Sequence, residues 1–424
     1  MKTLPRYVLL LLLSGCASLL AISQPGTVAG TVINAGNRQP VPLASVYFSN
    51  TSIGMVTAAD GGFVFSGLPP GQFDLVVSFV GYQTFITTVN TANAIAPLTI
   101  VLQPRPAELQ AVTVEPYQKQ GWDRWGTFFL EQFIGLTAES GRCRILNAKA
   151  LEFRHYKKSN RLVAIAHAPL RIENKALGYS IEYTLEHFEY QFKTGILFYQ
   201  GYPLFKMMKG NQAAQKRWQE SRQHVYLGSV MHFMRTLYRN RLAEEGFEIR
   251  QISPMANLAK QRARDSLLKQ MQGAGQNAGK PTVIRLGAAA RPALTTADNN
   301  AADAADIYRN AMAQPDTLDV LHGSPLPADS VAFGLDSTTA GFAFTYKLEI
   351  TYIRAPETKD YTQYKKQGSQ QPVQQSQLRM LGPAPVMVFA NGGYYDNKAL
   401  LMLGYWAFKE KMATMLPLDY KPLP

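Results

Sequence analysis

The chain has 424 residues, 46% hydrophobic and 17% charged, proportions that exclude an intrinsically disordered protein and leave room for two or three domains. Lys and Arg outnumber Asp and Glu by 43 to 30, and residues 139–265 alone hold 22 basic against 11 acidic side chains. An acidic partner would therefore meet the middle of the chain. Of two cysteines, Cys16 lies in the leader, so Cys143 has no internal disulfide partner.

Lys2 and Arg6 precede an apolar run over residues 8–22, too short to span a bilayer comfortably and suited to a signal peptide over 1–23. Two cleavages compete. Ala21-Ile22-Ser23 offers small residues before Gln24, as signal peptidase I requires. Leu13-Ser14-Gly15-Cys16 resembles a lipobox, after which Cys16 would be acylated. Either route predicts an exported protein of the periplasm or outer-membrane surface, with membrane association only if Cys16 is acylated.

Over residues 27–103, short alternating segments are cut at regular intervals by turn residues, the pattern of a small antiparallel sandwich. Val28, Gly30 and Val32 share one face; Ala44, Val46 and Phe48 do the same, as do Phe63 and Phe65. The cuts fall at 34–37, at Asp60-Gly61-Gly62, at Pro69-Pro70-Gly71 and at Gly81. Gly and Asp supply the positive φ that tight turns need, and Pro presets the turn entry.

The succession of Gly30, Pro42 with Leu43-Ala44-Ser45-Val46, Thr57, Gly61 with Phe63, Leu68 with Pro70-Gly71, and Val80-Gly81-Tyr82 resembles the carboxypeptidase-regulatory-like domain, a transthyretin-like seven-stranded sandwich. That family usually has Asp after the Thr, where this chain has Ala58. The resemblance covers roughly a fifth of the chain and implies a fold, not a function, because the module is an accessory on many exported proteins.

Residues 104–120 read as linker and short strand: Gln103-Pro104-Arg105-Pro106 is stiff, and 109–114 alternate. A similar segment follows this module in TonB-dependent outer-membrane transporters. The roughly 300 residues that remain here cannot build a barrel of about 22 strands.

A second, β-rich domain is predicted over 121–256 together with 342–424. Trp122, Trp125, Phe128, Phe129 and Phe133 suit a short helix packed on a sheet, and the next hundred residues are mostly hairpins. Ile181, Tyr183 and Leu185 alternate with Glu182, Thr184 and Glu186; the phase then slips by one to Phe188, Tyr190 and Phe192, predicting a bulge near Glu186-His187. Residues 216–245 take helical spacing and predict one long helix, with Arg222 and Arg235 among the cations decorating it. Residues 257–341 are rich in Ala, Gln, Asn, Asp and Gly and read as a low-complexity flexible insertion, with a helix extending to about Met271. Residues 341–352 alternate without a fault and predict a single strand, 356–377 a polar loop, 385–390 a strand, and 405–415 a short amphipathic helix. The two β-rich stretches bracketing the insertion are expected to share one sheet domain. That domain resembles an uncharacterised region found after the same module in exported proteins, which brings no activity with it.

Chemistry-bearing motifs are sparse. A zinc carboxypeptidase needs His-x-x-Glu and a later His, and none of His155, His167, His187, His224, His232 or His322 has Glu three residues on. His187-Phe188-Glu189 is the nearest approach; His224 and His232 sit two turns apart on the expected helix, too far to chelate together. Cys143 reads as a buried apolar residue. The stretch 275–280 imitates a phosphate loop, but Pro281 replaces the needed Ser or Thr. Glu182, Glu186 and Glu189 are the best carboxylates for a glycosidase-like pair, which needs two about 5–10 Å apart.

The sequence thus predicts a mainly β protein: an N-terminal seven-stranded transthyretin/Ig-like sandwich plus a larger antiparallel β-domain with one long helix. It predicts a non-catalytic exported cell-envelope protein that binds or scaffolds, with no catalytic residue, cofactor or metal. The rivals are a hydrolase of envelope polymers using carboxylates of the second domain, and an assembly accessory of an outer-membrane protein. The expected partner is an anionic glycan or an outer-membrane protein; export argues against nucleic acid.

Overall fold

The computed structural model describes residues 26–105, 121–276, 309–366 and 368–423. The leader with Cys16, the strand expected at 109–114 and the middle of the insertion lie outside them.

Seven strands make the N-terminal module: β1 (Val28–Asn34), β2 (Ser45–Phe48), β3 (Gly54–Val56), β4 (Gly62–Phe65), β5 (Gln72–Ser78), β6 (Phe85–Asn90) and β7 (Leu98–Leu102). They form two sheets, ordered β4-β1-β7 and β3-β2-β5-β6, closed over one apolar core. Phe48 lies at its centre, 5.0 Å from the Phe65 ring and 5.8 Å from Phe73. Burying such a ring stabilises by about 1.5–3 kcal/mol. Gly30 is demanded by packing, since a Cβ there would stand 2.4 Å from the Leu98 carbonyl and 2.7 Å from the Phe63 ring. Thr57 is buried because its hydroxyl donates to Val41 O (2.6 Å) and accepts from Ala44 N (2.9 Å). Ala58 does not leave its turn open: Asp60 closes it by accepting from Gly62 N at 2.8 Å.

The remainder is built on two separate cores, not one shared sheet. The first holds α1 (Gly121–Phe133) against a six-stranded sheet of β8 (Cys143–Ile145), β9 (Leu151–Tyr156), β10 (Arg161–Ala166), β11 (Leu170–Asn174), β12 (Tyr179–Gln191) and β13 (Ile196–Met207). Phe129 and Phe133 of α1 are fully buried, meeting Phe153, Phe188 and Tyr183 at ring separations of 5.6, 4.7 and 5.1 Å. The bulge is present, with register slipping between Leu185 and His187.

The expected long helix is two: α2 (Gln212–Tyr226) and α3 (Val230–Tyr238). Between them Gly228 turns at φ +70°, and the Ser229 side chain caps α3 by accepting from His232 N at 3.1 Å. A Gly just past one helix and a Ser before the next are stop and start signals that override the continuing apolar stripe.

The second core lies around α3, between the sheet β15-β14-β18-β19-β22 and the sheet β16-β17-β20-β21. These strands are β14 (Phe247–Ala256), β15 (Thr317–Leu321), β16 (Ala332–Gly334), β17 (Thr339–Phe342), β18 (Lys347–Tyr352), β19 (Gln374–Met380), β20 (Val386–Phe389), β21 (Tyr394–Tyr395) and β22 (Leu400–Gly404). Three expectations are corrected here. The described parts of the insertion are ordered into elements: the helix expected at its start forms as α4 (Leu258–Gln276), and β15, β16 and most of β17 stand where flexible chain was expected. Every residue of β15 is exposed, so its brief alternation of Leu318 and Val320 with Thr317 and Asp319 covers no core. The single strand expected over 341–352 is split, because the chain leaves one sheet after Phe342 and enters the other at Lys347. The polar loop expected over 356–377 holds α5 (Lys359–Lys365) and the start of β19.

The chain's end laces these parts together. Helix α6 (Tyr405–Lys409) stops well short of 415, because Met412 and Ala413 donate instead to Phe133 O (3.1 Å) and Ile134 O (3.0 Å) at the end of α1. A helix leaves its last carbonyls unpaired, and the C-terminal segment fills them. Leu418 N then reaches Asn50 O of the module at 2.6 Å.

Candidate functional site

Burial and pairing sort the charged residues into three groups. The first is inside. Arg222 and Arg235, expected on the wet side of a helix, are 8% and 5% exposed. Arg222 donates to Leu177 O (2.7 Å) and stacks on Tyr179. Arg235 donates to Asn391 O (2.8 Å), Leu418 O (3.1 Å) and Tyr420 O (3.0 Å). Lys409, also buried, donates to Leu227 O at 2.9 Å. Each cation thus spends its hydrogen bonds on carbonyls from distant segments, a structural use.

Burial pushes the Lys409 ammonium below its usual range, and Glu410 and Glu139 pull it back up. Burial likewise raises the Glu410 carboxyl, opposed by Lys409 and by the Val230 N–H it accepts from at 3.2 Å. Lys411 is brought down to about 8 by burial. His232 sits between Tyr226, Phe247 and Tyr352, its Nδ1 accepting from Gly228 N at 3.2 Å. Burial lowers its pKa to about 4, although Glu245, 3.5 Å from Nε2, works the other way. The sequence pattern missed this group; its signals are the charges Lys409, Glu410 and Lys411 inside the apolar stretch at 405–416, and His232 and Arg235 inside the apolar run at 230–238.

The second group lies on the outer face of the six-stranded sheet. Glu182 pairs with Lys206 at 2.6 Å and Glu189 with Arg161 at 2.7 Å. Glu186 stands exposed at the bulge, where Gly201 lies opposite Leu185. A Cβ on Gly201 would come within 2.3 Å of the Tyr183 ring, so the bulge and this glycine go together. Two of the three carboxylates proposed for hydrolysis are therefore tied to cations on a wet sheet face. His187 Nε2 lies 3.9 Å from Glu189, and His167 pairs with Glu152 at 3.0 Å. His224 is exposed, His155 contacts Asn160 Oδ1 at 3.3 Å, and His322 contacts Ser253 Oγ at 2.6 Å. Among the described residues, no three His, Cys, Asp or Glu side chains gather as a metal site. Cys143 is buried and its thiol is pushed up to about 12 by burial.

The module docks on this same outer face. Asn50 N donates to Pro203 O (2.8 Å) and Phe205 N to Thr51 O (3.0 Å). Tyr47, Val76 and Leu204 form a small apolar cluster across the junction. Tyr395 OH donates to Asp74 at 2.8 Å, and Asp419 accepts from Ser52 N at 2.9 Å and from its hydroxyl. Beside this seam lies a polar cleft of about 250 Å³, lined by Gln83, Thr84 and Arg105 on one side and by His167, Thr184 and Glu186 on the other. Arg105 spans it, donating to His167 O at 3.1 Å. Domain junctions are common places for ligand clefts. Arg105 stands there because residues 103–105 continue the module: Gln83 N donates to Gln103 O and Arg105 N to Gly81 O, both at 2.8 Å.

The third group is exposed and carries no ion pair among the described residues. Arg124, Lys157, Lys158 and Lys193 belong to it, all at one end of the six-stranded sheet.

The sandwich is a carboxypeptidase-regulatory-like domain: residues 28–114 match the model of the CarboxypepD_reg-like domain, a non-catalytic type of domain. No curated protein matches the chain. Among solved structures, one similar chain is a Bacteroides fragilis NCTC 9343 protein of unknown function, provisionally described as membrane-associated. It is 9% identical over 89% of this chain and 94% of its own, with a TM-score of 0.15, too low for any conclusion about fold or function. Among the described residues no helix is long and apolar enough to cross a membrane.

Proposed function

We propose that this is an exported, non-catalytic protein of the cell envelope that binds or scaffolds, with an anionic glycan as its ligand. The observation that carries this reading is the fused junction: a non-catalytic module is held on the outer face of the β-rich body by backbone hydrogen bonds in which Asn50 N donates to Pro203 O, and Thr51 O and Asn50 O accept from Phe205 N and Leu418 N. Two units so joined form one platform, which suits presentation of a surface better than turnover in a closing cleft. The unpaired basic side chains give that surface its sign.

Cell fractionation with mass spectrometry of the mature N-terminus tests the location. An acylated Cys16 or a free Gln24 in the envelope fraction supports it, and an uncleaved Met1 in the cytosol overturns it. Binding to anionic against neutral oligosaccharides tests the ligand.

One observation favours the accessory reading. Edge strand β15 exposes Leu318, Val320 and Leu321 at 42%, 37% and 42%, and such an edge can take up a partner's strand. Site-specific crosslinking from Val320 to an outer-membrane protein would support that reading.

A further inference from the structure

Two hairpins meet at one end of the six-stranded sheet. The β9–β10 turn carries Lys157 and Lys158, and the β12–β13 turn carries Lys193, all three exposed. The turns are neighbours because Arg161 pairs with Gln191 across β10 and β12, and Phe192 N donates to Asn160 O at 3.1 Å. Helix α1 crosses the inner face and brings Trp125 and Phe128 to the same end. Phe192 is the hub of the cluster that results: its ring lies 5.4 Å from Phe128, 5.0 Å from Tyr190, 5.7 Å from His155 and 5.8 Å from Trp125. All five rings are half-buried. Arg124 lies over the Trp125 ring at 5.1 Å. Of the nearby acids, Glu189 is engaged by Arg161, leaving exposed Asp123 against Lys157, Lys158 and Lys193, which carry no ion pair among the described residues, and against the stacked Arg124.

We propose that this tip is the contact site for the anionic glycan, with ring faces covering the apolar faces of sugars and Lys157, Lys158 and Lys193 pairing with phosphate or carboxylate groups. The inference rests on the functional reading above and adds to it the place and the mode. Aromatic rings present rigid apolar area at low entropic cost, and clustered cations attract polyanions in a salt-dependent way. A lipid surface is the poorer fit. The rings are half-buried and leave only parts of their faces open, and among the described residues at these two hairpin ends Ile196, the first of β13, is the only exposed large aliphatic side chain, at 43%. An interfacial anchor needs a broad bare apolar face.

The test uses the full chain and three titrants: the phosphorylated, deacylated oligosaccharide of lipopolysaccharide, tetragalacturonate, and neutral cellotetraose. Vesicles of phosphatidylglycerol and phosphatidylcholine are run beside them. The tip variant K157E/K158E/K193E is compared with K209E/K216E/R217E, which makes the same charge change beyond the opposite end of β13, where the cations are equally exposed. The expected result is binding of at least one anionic oligosaccharide, weakened tenfold or more by the tip variant and less than twofold by the distal one. Phe192→Leu should weaken binding severalfold while leaving its salt dependence unchanged. Equal loss in both triple variants, or none in either, overturns the site and leaves the functional reading standing. Binding to vesicles without binding to either oligosaccharide overturns the glycan. Absence of binding to every probe at low salt overturns both readings together.

Discussion

In the N-terminal sandwich the buried polar side chains are four hydroxyls, Ser49, Thr51, Thr57 and Thr91, and Thr57 and Thr91 bond to backbone within about twenty residues. The core around α3 buries His232, Arg235 and Lys409, and the partners of the two cations lie 156 to 185 residues away. The difference teaches where each region's stability comes from. The sandwich closes on strands from one continuous stretch, so its core is complete once that stretch has folded. The body depends on groups that stay unpaired until the last twenty residues arrive, and a buried cation without its partners costs several kcal/mol.

Four perturbations break or sharpen that contrast. Phe48→Ala should be the most damaging, costing about 3–5 kcal/mol. It should lower the unfolding transition of the module while leaving near-ultraviolet signals from Trp218 and Trp406 in the body intact below that transition. A single merged transition would show that the two regions do not differ in autonomy.

Arg235→Ala should cost about 3 kcal/mol and act in the opposite place. It frees the C-terminal segment at Leu418 and Tyr420, so amide exchange at Met412, Ala413 and Leu418 should accelerate while β1 and β5 keep their protection. Arg239→Ala, on an exposed neighbour, should change stability by no more than about 0.5 kcal/mol.

His232 sets a pH dependence that the module lacks. Unfolded, the imidazole titrates near 6.5; folded, burial holds it to about 4. Between those values the unfolded chain binds more protons, so stability should fall as pH drops from about 6.5 towards 4, by roughly 2–3 kcal/mol. Glu410, whose raised carboxyl favours the fold at low pH, opposes this slope. The contribution is therefore read as the difference between wild type and His232→Gln in denaturant midpoints at pH 7.5 and pH 4.5. No difference between the two pH values would remove His232 from the account.

Apart from the exposed Arg239 control, the smallest effect is expected at the seam. Asp419→Ala removes the acceptor of Ser52, which is exposed, and should cost about 0.5–1 kcal/mol. Its signature is a lower module transition with the body unchanged, the converse of Arg235→Ala.

Part of this protein could be read before any coordinates. The sandwich was legible because its strands bury alternate residues and its turns need Gly, Pro or Asp. The bulge at Glu186 was legible because an added residue swaps faces and leaves a slip in the apolar phase. The rings of α1 announced a helix on a sheet for the same reason. Strand β19 was not legible, since neighbours supply its pairing while its own side chains carry little apolar alternation, and β15 was missed because its short alternation sits in a polar stretch and stays exposed.

The sequence by itself determined which faces are apolar, where the turns fall and that the middle of the chain is basic, because these are properties of near neighbours. Tertiary structure alone decided which cations are inside, which are paired and which stand free at the tip. A guanidinium looks the same in sequence whether it meets water, a carboxylate or three carbonyls from the far end of the chain, and only the closed fold brings those partners into reach.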